Sequence, residues 1–165
     1  MDHAFQERFS DYVCVGDTIS TESDGLTITA RIVADDCPDA PDERQEGFWP
    51  SLVKDAPGFI GPGKKFRQRF DKAQARAEMV MQGWRDGDWF YCGIVLAVIV
   101  SDQDGDDIVL DNHAASLWGV EANYPDTDNA YLTETANELL LEALIAARAA
   151  LARVRKADPA SAPSA

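Results

Sequence analysis

The run of residues 89–100 constrains the fold more than any other feature, because nearly every side chain in it is aromatic, aliphatic or β-branched. Such a composition is typical of a β-strand that is covered on both faces. We therefore predict a central strand here. Other segments of the 165-residue chain must supply its neighbours in the sheet.

Segments with strand periodicity lie on both sides of this run. Residues 26–34 alternate apolar and polar side chains, residues 13–20 form an earlier periodic segment, and an Asp-Gly turn between them predicts a hairpin. A second Asp-Gly turn follows the central strand, and residues 107–111 begin the return strand. Residues 117–120 either continue that strand or form another. We therefore predict four to five strands.

Two helices complete the prediction. In residues 64–85, apolar side chains recur at steps of three and four, which is typical of an amphipathic helix. Thr135 and Glu138 fit a capping box that begins a second long helix. The order ββαββ(β)α predicts an α+β fold, in which two helices pack on an antiparallel sheet. The predicted core contains Phe66, Phe70, Val80, Trp84, Ile94, Leu96, Val98, Leu140, Leu144 and Leu151.

The length predicts one domain over residues 1–157, followed by a disordered tail at residues 158–165. Inside the domain, residues 35–63 lack periodicity, contain five prolines and four glycines, and predict a long acidic loop.

The cysteine pattern indicates a reducing compartment. Cys14, Cys37 and Cys92 are isolated from one another, so neither a disulfide framework nor a zinc site is expected. The longest apolar stretch is residues 94–100, which is too short for a membrane span, and the N-terminus lacks the pattern of a signal peptide. The expectation is a soluble cytoplasmic protein that does not bind membranes.

The charge distribution indicates the kind of partner. The chain has a net charge of -14, and residues 89–138 contain ten carboxylates but no Lys or Arg. Such a surface repels nucleic-acid backbones and attracts cationic partners. We therefore expect a basic or DNA-binding protein partner and no direct nucleic-acid binding. The predicted partner-binding residues are Asp102, Asp104, Asp106, Asp107, Asp111, Asp126, Asp128, Phe48 and Trp49.

The same acidic residues raise the question of a metal site. Asp102, Asp104 and Asp106 alternate as the first ligands of an EF-hand loop do, but Gly105 is out of place and His113 stands at the twelfth position. The flanking segments are also predicted strands rather than helices. A polar hairpin turn is the favoured interpretation, and neither a metal nor a cofactor is expected.

Two alternatives from other functional classes remain open. His113 lies close in sequence to Ser116 and Asp111, and the predicted sheet brings Cys92 to a neighbouring strand. These residue types suit a small hydrolase or thiol enzyme, although no nucleophile-elbow or phosphate-loop motif is present. We expect Cys92 itself to be a buried packing residue. The other alternative is a regulatory protein that binds its partner through Phe48, Trp49, Trp89 and Trp118.

The part of the chain from residue 89 to residue 144 resembles a known group of proteins. The Trp-Phe-Tyr-Cys-Gly run at 89–93, the segment at 111–121 and Tyr-Leu-Thr-Glu at 131–134 carry the resemblance. The group consists of uncharacterised small acidic accessory proteins of bacterial phages and plasmids. The resemblance implies an accessory role on a mobile element, where small acidic proteins are often DNA-mimic inhibitors of a host nuclease, defence complex or DNA-binding regulator. It implies no catalytic residue.

Overall fold

The computed structural model describes residues 3–37 and 39–157, so the predicted tail at 158–165 lies outside the described residues. The elements are β1 (Thr18–Ser23), β2 (Leu26–Ala34), α1 (Pro41–Arg44), α2 (Phe66–Asp86), β3 (Phe90–Ser101), β4 (Asp107–Ala122) and α3 (Ala130–Ala157). The four strands form one antiparallel sheet in the order β1-β2-β3-β4. The α+β class and the order ββαββα are therefore confirmed, and the four-residue helix α1 is an addition to that order.

The described chain divides into two compact units. Unit 1 contains residues 3–35, 91–123 and 127–157, which include the sheet and α3. Unit 2 contains residues 36–90 and 124–126, which include α1 and α2. The expectation of a single domain over residues 1–157 stays a prediction.

In unit 1, α3 packs against β4 and β2. Its buried face carries Leu132, Ala136, Leu140, Ala143, Leu144 and Ala147, spaced at three and four residues. On the sheet, the side chains of Ile28, Ile32, Ile94, Leu96 and Val98 are almost completely buried. This apolar layer is the core of unit 1, and the prediction of Ile94, Leu96, Val98, Leu140 and Leu144 as core residues is confirmed.

The start of α3 differs from the prediction. Thr135 is not the N-cap, because the helix begins at Ala130 and the Asp128 carboxylate accepts the Ala130 N–H at 3.0 Å. Thr135 lies inside the helix, where its hydroxyl donates to the Tyr131 carbonyl at 2.8 Å. A side-chain oxygen directly before the first turn satisfies one of the free N–H groups there. The capping-box assignment is therefore wrong.

Residues 3–17 pack in unit 1 without forming a strand. Phe5, Phe9 and Val13 are buried. The backbone N–H of Phe5 donates to Asn137 Oδ1 at 2.8 Å, and the backbone N–H of Phe9 donates to Thr133 Oγ1 at 3.0 Å. Both acceptors lie on α3. The predicted first strand at 13–20 is therefore misplaced by several residues. It begins only at Thr18, after a turn in which Asp17 accepts the Cys14 N–H.

β4 is a single strand of 16 residues that covers both 107–111 and 117–120. Trp118 lies over the backbone of Gly93 on β3, where an added Cβ would stand 2.4 Å from the Trp118 ring. Only glycine at position 93 leaves room for this ring.

In unit 2, α2 buries Ala77, Val80 and Met81. Trp89 is 1% exposed and donates its indole N–H to the Val80 carbonyl at 2.8 Å. The prediction of Val80 as a core residue is confirmed. Three predicted core residues of this unit, Phe66, Phe70 and Trp84, are only half-buried, as is Leu151 of α3. The expected loop 35–63 includes the short helix α1 and a bridge between Ser51 and Phe59.

Candidate functional site

The strand register brings two acidic turns of unit 1 to the same end of the sheet. Thr27, close to the β1–β2 turn, pairs with Ile99, and β3 ends two residues later at Ser101. Ser101 and residues 22–27 line one open cleft of about 260 Å³. We call this end of the sheet the acidic sheet end. Its carboxylates are Glu22, Asp24, Asp102, Asp104, Asp106 and Asp107.

Hydrogen bonds hold the β3–β4 turn in a defined conformation. The Asp102 carboxylate accepts the N–H groups of Asp104 and Asp106 at 2.9 and 2.8 Å. The Asp107 carboxylate accepts the Ser101 hydroxyl at 3.1 Å. Asp104 and Asp106 are exposed, so their backbone positions are set while their side chains face solvent. The turn thus combines order with a high density of negative charge.

One cation pairs with a carboxylate of the acidic sheet end. Arg148 of α3 lies 2.7 Å from the Asp24 carboxylate, and both side chains are about half exposed. This hydrogen bond from Arg148 holds the pKa of Asp24 below its ordinary value. The other five carboxylates leave the acidic sheet end strongly negative.

An open groove of about 730 Å³ extends the negative surface of unit 1. Glu7, Glu22 and Asp24 line it together with His3, whose ring bonds the Ser23 hydroxyl at 2.7 Å. Within residues 3–37 and 39–157, no three His, Cys, Asp or Glu side chains are arranged to hold a metal ion.

The remaining predicted acidic residues have local partners. Asp111 accepts the His113 backbone N–H at 2.9 Å, and Asp128 caps α3. Asp126 belongs to unit 2, where it pairs with Arg76 at 2.6 Å. The structure therefore brings together Asp102, Asp104, Asp106 and Asp107. The other three carboxylates, those of Asp111, Asp126 and Asp128, have hydrogen-bond or ion-pair partners away from this turn.

The four aromatic candidates differ in accessibility. Phe48 and Trp49 of unit 2 are half-buried and contact each other edge to face, with ring centres 5.2 Å apart. The Trp49 indole donates to Asp42 at 3.1 Å. Trp89 is buried and therefore cannot contact a partner, whereas Trp118 is 44% exposed. The hypothesis of binding through all four aromatics is wrong for Trp89.

The histidine site of unit 1 has part of the geometry of a hydrolase. The His113 ring nitrogen Nε2 lies 2.9 Å from the Ser116 hydroxyl. Asp111, however, bonds the backbone of His113 rather than its ring. The ring also stacks on Trp118, with 6.3 Å between ring centres. A serine and a base are thus in contact, but Asp111 does not orient the base as a catalytic triad requires.

Cys92 has the surroundings of a packing residue. Its side chain is fully buried, as predicted. Burial, with a smaller contribution from Asp35, raises the pKa of Cys92 to about 12. The reactive thiolate is therefore almost unpopulated near neutral pH, which argues against a thiol enzyme.

Sequence reasoning did not find that the two acidic turns lie together. The density of carboxylates between residues 102 and 107 predicted a partner-binding surface there. The prediction did not include Glu22 and Asp24. The sequence indicated two hairpins with Asp-Gly turns, and the antiparallel pairing of β2 with β3 places both turns at one end of the sheet.

Comparison of the chain with known protein families, with curated proteins and with solved structures found no match. In the described part of the chain, no helix combines the length and the apolar character that crossing a bilayer requires.

Proposed function

We propose that the chain is a non-catalytic acidic binding protein whose acidic sheet end engages a basic or DNA-binding protein. The meeting of two acidic turns at one end of the sheet is the observation that carries the proposal. The most specific form of the proposal is that the protein is a DNA-mimic inhibitor of a host nuclease, defence complex or DNA-binding regulator. This form agrees with the resemblance to mobile-element accessory proteins.

Electrostatics explains why such a surface selects its partner. Exposed charges act over about 8 to 10 Å at physiological ionic strength, so carboxylates crowded on two adjacent turns act together on an approaching cation. Their combined field speeds the encounter with a basic surface.

The order of the β3–β4 turn supports the DNA-mimic form of the proposal. DNA presents phosphates at regular positions, so a mimic needs carboxylates on a backbone that is already fixed before binding. The Asp102 carboxylate accepts hydrogen bonds from the backbone N–H groups of Asp104 and Asp106, and these bonds fix the backbone that carries both side chains.

A charge-neutral turn tests the proposal. The variant carries Asp102→Asn, Asp104→Asn, Asp106→Asn and Asp107→Asn, because the Asn side-chain oxygen retains the acceptor that Asp102 provides. For a partner captured from the host cell, we expect the on-rate to fall by about tenfold or more. We also expect the salt dependence of binding to weaken. Stopped-flow or biosensor kinetics at several salt concentrations measure both effects.

The matched control neutralises four other exposed carboxylates of unit 1, namely Asp11→Asn, Glu134→Gln, Glu138→Gln and Glu142→Gln. Its net charge equals that of the first variant. If only the turn variant binds more slowly, the effect comes from the acidic sheet end and not from the overall charge. For mimicry, duplex DNA must compete with this protein for the partner. Unchanged rates and salt dependence in the turn variant would refute the proposal.

The contact between His113 and Ser116 keeps a serine hydrolase as the second candidate. Because Asp111 bonds the His113 backbone and does not orient the ring, we expect a fluorophosphonate probe to leave Ser116 unlabelled, as judged by intact-protein mass spectrometry. Labelling that disappears in Ser116→Ala and in His113→Ala would instead establish the enzyme.

A further inference from the structure

The two edges of the sheet differ in whether another segment of the chain covers them. At β1, the Glu7 carboxylate accepts the Ser20 N–H at 3.1 Å, and the Thr21 hydroxyl donates to the Ala4 carbonyl at 3.1 Å. Residues 3–9 thereby occupy part of that edge. β4 is the terminal strand on the other side, and no strand within the described residues pairs with its outer edge.

The first part of β4 is open on both faces. Consecutive residues of a strand point to opposite faces, yet Ile108 is 49% exposed and Val109 is 53% exposed. Proteins usually protect such edges with Lys, Pro, a bulge or a covering segment. Residues 107–112 contain neither Lys nor Pro, and they divide equally between three apolar residues, Ile108, Val109 and Leu110, and three polar ones, Asp107, Asp111 and Asn112.

The charges of β4 determine what can pair with it. Its acidic residues are Asp107, Asp111 and Glu121, and the acidic sheet end adjoins it through the β3–β4 turn. A second copy of the chain would bring carboxylates against carboxylates, which opposes pairing. A strand that alternates basic and apolar residues would instead place its cations on the face of Asp107 and Asp111, and its apolar side chains on the other face beside Ile108 and Leu110.

We propose that residues 107–112 accept an extended basic segment of a partner protein, which adds to β4 as a fifth strand. This inference rests on the proposed function and specifies how the basic partner is recognised. Main-chain hydrogen bonds along β4 give the affinity, and the alternation of charge and apolar contact gives the selectivity.

Two peptides of equal charge test the proposal directly. The probe has four Lys-Val repeats, with acetylated and amidated ends and a fluorescent label. The control has two Lys-Lys-Pro-Pro repeats, which carry the same four cations on a chain of the same length but remove N–H groups from both edges of the extended peptide. We expect the Lys-Val peptide to bind at least about tenfold more tightly by fluorescence anisotropy. Hydrogen exchange should then slow at residues 107–112.

The other outcomes separate this inference from the proposed function. Equal binding of the two peptides, with no added protection at 107–112, would overturn strand addition while retaining a charge-selective acidic surface. Binding of neither peptide at low salt would overturn both. Sedimentation that shows a dimer, with protection at 107–112 in the absence of peptide, would overturn the inference in favour of self-association. Ile108→Thr should weaken only the Lys-Val peptide.

Discussion

Leu140→Asp is expected to unfold unit 1, whereas Leu141→Asp should leave it folded. The two leucines are neighbours on α3, but Leu140 is 1% exposed and Leu141 is 63% exposed. A carboxylate at position 140 would lose its hydration in the apolar layer between α3 and the sheet. The loss of packing and the unpaired charge together should cost about 5 kcal/mol or more, which approaches the whole stability of a typical domain.

Circular dichroism with thermal and urea denaturation measures this difference. The Leu141→Asp variant has the same helix, the same added charge and the same loss of a leucine, so it controls for helix propensity and net charge. We expect its melting temperature to stay within a few degrees of the wild type. A folded Leu140→Asp variant with an unchanged melting temperature would refute the packing of α3 described above.

Periodicity explains why the centre of unit 1 could be predicted. The apolar run of β3 and the leucine face of α3 each extend over many residues, and the structure buries Ile94, Leu96 and Val98 of the strand and Leu140 and Leu144 of the helix. At helix and strand ends, periodicity carries less information. The predicted start at Thr135 failed because the helix was capped earlier, by the side chain of Asp128.

The packing of residues 3–17 could not be predicted from local sequence. Phe5, Phe9 and Val13 are buried through partners more than a hundred positions away, so no local pattern signals the contact. The acidic sheet end shows the same limit. The sequence indicates which turns are acidic, but only the pairing of β2 with β3 shows that the β1–β2 and β3–β4 turns lie together.

Asn129 is the centre of a buried network that joins residues 10–13 to the connection between β4 and α3. Its side-chain amide donates to the carbonyl oxygens of Ser10 and Asp11 at 3.3 and 3.0 Å, and to Asn123 Oδ1 at 2.8 Å. Asn123 in turn bonds both the N–H and the carbonyl of Val13 at 2.8 Å. The Asn129 residue is fully buried, so water cannot replace these bonds.

Asn129→Asp is therefore expected to destabilise unit 1 by about 3 kcal/mol at neutral pH, although the two side chains have the same shape. The carboxylate would face three oxygen atoms that previously accepted hydrogen bonds. Asn137→Asp is the matched control, because Asn137 accepts the Phe5 N–H through its oxygen, and a carboxylate retains that acceptor. Chemical denaturation of both variants measures the contrast.

The pH dependence provides a second and independent readout of the Asn129→Asp variant. Burial among oxygen atoms should raise the pKa of the introduced carboxyl in the folded state above its unfolded value of about 3.9. The folded state then binds more protons than the unfolded state, so the deficit relative to the wild type grows as pH rises through the interval between the two pKa values. Lowering the pH from 7 towards 5 should therefore recover part of the lost stability. A deficit that is the same at both pH values, or that equals the deficit of Asn137→Asp, would show that donation by the Asn129 amide does not hold residues 10–13 in place.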